Sequence, residues 1–254
     1  MIAINIILNE RHTVKQILSE KKIVQNIAYT ASVLAKYYLH DELLTKGQTY
    51  QKINEFFTEN VKEYNEAKWY DSLDHIIHKA RKYELVDISA LQIYVEELEI
   101  LTSYPPRQQR ILFSSLCYAK YYNSLNPHNN NWVNTPYKQI FTSANVRIKT
   151  DDQYKIIGEL VRSDALSLSK KVDNLNYSVN ILQDTGTPGF QVTCFDNLGY
   201  QYMKHLGDKT IKCCKLCGGL FRYTGKGPRQ YCGPCRKIKL TERYAKYYRK
   251  KRNS

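Results

Sequence analysis

The chain has 254 residues, of which 43% are hydrophobic and 12% aromatic, and its formal charge is +14. That length holds two or three ordinary domains with real cores. Met1 to Leu8 is too short and lacks the basic start of a secretory signal, and no apolar run approaches a membrane span, which excludes exported and membrane-spanning classes and predicts a soluble, cytoplasmic protein.

The first 26 residues read as a strand and a helix appended to a first unit at 27–104. That unit is predicted to hold helices at Ala28–His40, Tyr50–Asn60 and Ala67–Lys82, with strands at Leu85–Ile88 and Leu91–Val95. His75 and His78 lie on the third of these helices and have no evident third ligand, so they read as surface residues. Residues 27–103 carry 8 Lys+Arg and 13 Asp+Glu, a net −5 poorly suited to phosphates, so this unit is expected to bind a protein partner or to form a homodimer.

The same order recurs over 105–184. Pro105-Pro106 opens a helix ending near Asn123, Trp132-Val133 is a short extended piece, and Thr135 caps a helix with Pro136 at its first position. Thr150-Asp-Asp-Gln153 reads as a capping box for a third helix running to about Arg162. Strands at Ala165–Lys170 and Asn176–Leu182 come next, joined by a turn at Asp173-Asn174. Ser32-Val-Leu-Ala-Lys-Tyr-Tyr38 echoes Ser115-Leu-Cys-Tyr-Ala-Lys-Tyr-Tyr122, in keeping with two related units. Three helices and a hairpin predict a winged helix, so the fold class is mainly α with small β-hairpins, as tandem winged-helix-like units. The second unit has 10 Lys+Arg and 6 Asp+Glu over 106–184, a net +4. Arg147, Lys149, Lys155 and Arg162 are its candidate nucleic-acid contacts around the last helix, and Lys170 and Lys171 those on the wing. Residues 185–208, with a strand at Phe190–Phe195 and a helix at Leu198–Leu206, read as a connector packed on this unit.

Residues 209–254 hold the excess charge: 15 Lys+Arg against the single acid Glu242, whereas 1–208 balance 23 Lys+Arg with 23 Asp+Glu. Cys214-x2-Cys217 and Cys232-x2-Cys235 have the spacing of a closed four-cysteine zinc site, with Cys213 a possible substitute for Cys214. Seven cysteines used this way suit a reducing compartment. A knuckle, a hairpin turning at Gly225-Lys-Gly-Pro228 and a helix supplying the last ligands predict a treble clef, with a zinc ribbon as the alternative. The helix has an apolar stripe of Leu240, Tyr244, Tyr247 and Tyr248. Arg222, Lys226, Arg229, Arg236, Lys237, Lys239, Arg243, Lys246, Arg249 and Lys250 are candidate contacts to nucleic acid, duplex DNA before RNA. No phosphate loop or paired-carboxylate cluster tied to a His is present, and Asp151-Asp152 are explained by the helix dipole, so an enzyme is not expected.

Leu34-Ala-Lys-Tyr-Tyr-Leu-His40, Asn129-Asn-Asn-Trp-Val-Asn134, Ser169-Lys-Lys-Val-Asp-Asn-Leu-Asn-Tyr177, Asn197-Leu-Gly-Tyr-Gln-Tyr202 and the four-cysteine tail together resemble an uncharacterised family of phage and mobile-element proteins of Gram-positive bacteria. The resemblance implies a bacterial host cell and transfers no site residues. The tandem layout is similar, in architecture only, to plasmid replication initiators.

Overall fold

The computed structural model describes residues 6–171 and 174–252, with the side chains of 246, 247 and 249–252 outside the description. The chain divides into two compact units, one ending at Ala90 and one beginning at Leu91.

The first unit is helical. Four asparagine or threonine caps set its helices: Asn9 before α1 (Glu10–Glu20), Asn26 before α2 (Ile27–Lys36), Thr45 before α3 (Lys46–Asn60) and Asn65 before α4 (Glu66–Ala80). Thr45 and Gln48 complete a capping box, and a π turn at Tyr37–Asp41 prolongs α2. Ile17, Leu34, Ile53, Phe57, Leu73 and Ile77 meet in the core. Buried Glu10 is satisfied by Lys36 at 2.8 Å and by the Val86 N–H at 2.9 Å.

The hairpin expected to close this unit does not form. Leu85–Ile88 contributes a single bridge, Asp87 to Asn9, and Leu91–Tyr94 (β1) belongs to the second unit. There β1 pairs antiparallel with Pro188–Val192 (β5), Leu91 opposite Val192. The reason is local: Ser89-Ala90 offers no turn chemistry, and Leu91 and Ile93 are buried by a partner far along the chain.

In the second unit α5 (Val95–Thr102) follows β1 and leads into α6 (Pro106–Leu125), the central helix, buried continuously from Ile111 to Ala119. Around it lie β2 (Trp132–Val133), α7 (Tyr137–Ser143), α8 (Thr150–Arg162), β3 (Leu166–Leu168) and β4 (Tyr177–Val179). The three strands form one antiparallel sheet in the order β2-β4-β3. α8 turns Gln153, Ile156, Ile157 and Leu160 inward, the spacing of one helical face. Two tyrosines serve the core: Tyr177 bonds Ser115 at 2.8 Å, and Tyr202 stacks on Phe113.

Two expected caps are replaced. Pro136 stands before α7, and the Thr135 hydroxyl instead pairs with Tyr122 at 2.8 Å. Thr150 is already the first residue of α8, so the box with Gln153 is absent, and the Gln153 amide turns to the Ile148 carbonyl. The turn residue Asp173 lies outside the described residues.

A buried carboxylate locks the start of this unit. Glu97 is fully buried, and its oxygens accept from the Tyr94 N–H at 2.8 Å, the Gln183 N–H at 2.8 Å and the Lys120 ammonium at 2.9 Å. Lys120 also lies 4.3 Å over the Tyr94 ring.

α9 (Leu198–His205) packs on α6, and its first turn is held by a residue from the α7–α8 connection. Asn145 accepts the Tyr200 N–H at 3.0 Å and donates to Asn197 at 2.9 Å. Gly199 sits against the Ala144 carbonyl, where an added Cβ would stand 1.9 Å from the oxygen. Gly199→Ala should therefore force α9 off α7 and cost about 1–3 kcal/mol, as overpacking does. Urea unfolding would read it, and wild-type stability would show that the contact relaxes freely.

Candidate metal centre and basic surface

The last part of the second unit is built around sulfur. β6 (Ile211–Cys213) and β7 (Leu220–Arg222) pair as a short hairpin whose tip is the knuckle Cys214–Gly219. Within it the Cys214 N–H bonds the Gly219 carbonyl, and the Gly218 N–H bonds the Cys214 carbonyl. Gly218 takes φ of +70, a left-handed angle that costs a glycine nothing. α10 (Gly233–Arg252) begins on the other side, and its first turn presents Cys235.

The sulfurs of Cys214, Cys217, Cys232 and Cys235 all lie within 4.8 Å of one another, and those of Cys217 and Cys232 are 3.9 Å apart. A tetrahedral ion with bonds of about 2.3 Å needs sulfurs about 3.8 Å apart, so the cluster has the size of a closed four-thiolate site. Burial would raise the Cys214 thiol, but backbone N–H groups of Cys232, Cys217 and Leu216 aimed at its sulfur prevail and bring it down to about 6. None of the seven cysteines is in a disulfide. Cys213 is exposed, and its thiol turns to the Gly218 carbonyl, 3.0 Å away and outside the cluster.

The hairpin expected to turn at Gly225–Pro228 is not the one observed. β7 pairs backward with β6, and residues 223–232 run irregularly, because Lys215 N–H takes the Gln230 carbonyl and Cys232 N–H points at the Cys214 sulfur. The apolar stripe of α10 is likewise not a buried face: Leu240 is 39% exposed and Tyr244 and Tyr248 both 62%. The core it would cover is only Cys214, Phe221 and Cys235, flanked by Tyr223, Tyr231 and Cys232, and it ends in the helix's first turn. Tyr247 lies outside the described side chains.

The candidate cations fall into distinct surroundings. Arg147 and Lys149 are exposed on the α7–α8 connection, and Lys170 and Lys171 on the loop between β3 and β4. Lys155 and Arg162 are exposed on α8, where Lys155 faces Asp152 at 3.5 Å. Arg222, Lys226, Arg236, Lys237 and Arg243 are exposed on β7, the following turn and α10. Lys239 pairs with Glu242 at 2.8 Å, a surface pair of small energetic weight. Arg229 differs from these, because its guanidinium lies over Phe221 and Tyr223, 5.6 and 5.3 Å from the ring centres. Half-buried, it packs against the small core. The side chains of Lys246, Arg249 and Lys250 lie outside the described residues.

Drawn at Ala90, the first unit carries twelve Lys+Arg and twelve Asp+Glu, so it is neutral. The −5 of residues 27–103 came partly from Glu96, Glu97 and Glu99, which sit in α5 of the second unit. The whole +14 therefore belongs to the second unit.

Sequence reading missed Asn145 and Asn197, both in left-handed conformation with φ of 54 and 53, and Arg110, whose guanidinium bonds the Asn145 carbonyl at 3.1 Å. Asparagine tolerance of that conformation was the available signal, but it does not say where the side chains meet. Comparison with protein-family models, with curated proteins and with solved structures found no match. The phage-family resemblance accordingly has no support from these comparisons. No helix among the described residues is long and apolar enough to cross a membrane.

Proposed function

We propose that this is a non-enzymatic duplex-DNA-binding protein whose basic tail is folded by one structural zinc ion held by Cys214, Cys217, Cys232 and Cys235. The observation that carries the reading is the joint placement of a closed thiolate cluster and a +14 segment, 209–254, on a chain that is otherwise neutral. Zinc is favoured because four converging thiolates suit a tetrahedral ion that takes no part in redox chemistry. Binding through four thiolates leaves the tail near +12.

The α6-β2-α7-α8-β3-β4 order and the β2-β4-β3 sheet support a winged-helix reading of residues 105–184, with α8 as the groove-entering helix and Lys170 and Lys171 on its wing. α8 itself carries Asp151, Asp152 and Glu159 against Lys155 and Arg162. Affinity therefore rests on the tail, and α8 supplies orientation. The setting we infer is the cytoplasm of a bacterium carrying a phage or mobile element, in transcription or replication control, supported by the segment resemblance alone.

Deleting 209–254 should lower duplex affinity about 10³-fold or more at moderate salt and flatten its salt dependence. Fluorescence anisotropy of the zinc-loaded chain across a salt series reads both, and unchanged affinity would sink the assignment. Competition with structured RNA tests the preference for duplex DNA. The rival reading, an adaptor docking on a protein through residues 27–104, drew on the acidic charge that the neutral first unit lacks. A stoichiometric partner that survives nuclease treatment would restore it.

A further inference from the structure

Two cavities of similar size flank α8, and their charges differ. One, of about 650 Å³, opens between the start of α6 and α8, and its cations Arg107 and Lys155 are matched by Asp152 and Glu159. The other, of about 600 Å³, lies between the α7–α8 connection and the start of α9. Its ten lining residues include Lys138 and Arg147 and no carboxylate. Neither cation takes part in an ion pair among the described residues.

The walls of this second cavity are chemically mixed. Phe141 and the Tyr200 ring give an aromatic and apolar side, while Asn197 and Gln153 bring amides to it. The floor is fixed before any ligand arrives, because Asn145 caps α9 and bonds Asn197, and Gly199 seats α9 on the Ala144 carbonyl. Behind that floor, Arg110 holds the Asn145 carbonyl at 3.1 Å without a carboxylate partner. Burial is the main reason the Arg110 pKa lies below its usual value; Arg222 and Arg107 nearby add to the lowering and Tyr200 opposes it.

We infer that this cavity binds a single nucleotide unit, with its phosphate on Lys138 and Arg147 and its base against Tyr200. The volume falls in the range of small-ligand sites, about 300–1,000 Å³, and the contents match the phosphate and the base of a nucleotide. Two cations meet the phosphate, an aromatic face meets the base, and amides meet its polar edge. The nucleotide is either free in solution or the unpaired terminal residue of a bound strand. Only the second source rests on the nucleic-acid reading above.

The test uses the full, zinc-loaded chain. Calorimetric titration with the nucleoside monophosphates and with inorganic phosphate addresses the free source. Anisotropy with a duplex bearing a short single-stranded overhang, against the same duplex with blunt ends, addresses the strand source. We expect saturable binding of at least one nucleotide, tighter than phosphate, or a preference of about tenfold for the overhang. The double variant Lys138→Ala/Arg147→Ala should abolish whichever response is seen, and Tyr200→Leu should weaken it about tenfold at an unchanged thermal midpoint. Phosphate binding as tightly as every nucleotide would overturn the inference, as would either response persisting in the double variant or the absence of both. Blunt-duplex affinity is read in the same experiment: its loss with a retained nucleotide response counts against the duplex reading alone, and its retention with no nucleotide response counts against this cavity alone.

Discussion

Replacing Cys232 and Cys235 with Ser should strip the chain of bound zinc and unfold residues 209–254. The module's core is Cys214, Phe221 and Cys235, closed over by Tyr223, Tyr231 and Arg229. A core of that size supplies a few kcal/mol at most, whereas structural zinc contributes about 10–16 kcal/mol in comparable peptides. The loss should show as a fall from one zinc per chain to none and as rapid proteolysis after Arg222. Cys213→Ser is the control: its thiol faces the Gly218 carbonyl, outside the cluster, and the variant should keep its metal. A double variant that retains zinc and protease resistance, or a Cys213 variant that loses both, would overturn the ligand assignment. Duplex affinity should follow the metal content, because α10 gains its fixed start only when Cys232 and Cys235 are held.

Glu97→Ala should destabilise the second unit by about 3–5 kcal/mol, the range for breaking a buried charge pair. The carboxylate is fully buried and joins three separate pieces of chain: Tyr94 at the end of β1, Lys120 in α6 and Gln183 beyond β4. Removing it leaves the Tyr94 and Gln183 N–H groups without their acceptor and leaves the Lys120 ammonium only a long bond, 3.4 Å, to the Gln183 carbonyl. Exchanging the pair for apolar residues often restores stability where only the two charges face each other. Here Glu97→Leu/Lys120→Leu should not recover it, since both N–H groups remain unmet. Urea unfolding of the single and double variants measures the difference. Full recovery in the double variant would show that the backbone bonds carry little.

The cysteine spacing and the span of α8 were readable because each is set by residues within a turn or two of one another. What failed was partnership at a distance. Leu91 to Val95 alternates as a strand should, but alternation says nothing of which strand pairs with it, and Gly189 and Phe190 lie far ahead in the sequence. Thr135 was a sound cap by type, yet Tyr122 competed successfully for its hydroxyl. In the tail, Gly225 to Pro228 has the composition of a hairpin turn, but bonds to Lys215 and to the Cys214 sulfur hold Gln230 and Cys232 on the first knuckle. The stripe on α10 has helical spacing, which establishes a helix and not a partner for its face. The cavity beside α9 left no mark in the sequence, because Tyr200 reaches Lys138 and Arg147 only through tertiary contacts of α9, the Asn145 bonds to Asn197 and Tyr200 and the seat of Gly199 on Ala144.

The β1–β5 pairing also sets an order of events during synthesis. Gln92 and its opposite residue Gln191 are 99 positions apart, so β1 leaves the ribosome long before its neighbour exists. At ordinary elongation rates the wait is roughly 5–20 s, ample for the helical first unit to fold alone. Throughout that interval β1 is an unpaired edge rich in apolar residues, the kind of segment that recruits other chains. Nascent chains arrested before Val192 should therefore be far more prone to aggregate than those arrested just beyond Phe195. The second unit's assembly is timed by the arrival of one short strand, ahead of the cysteines of the tail.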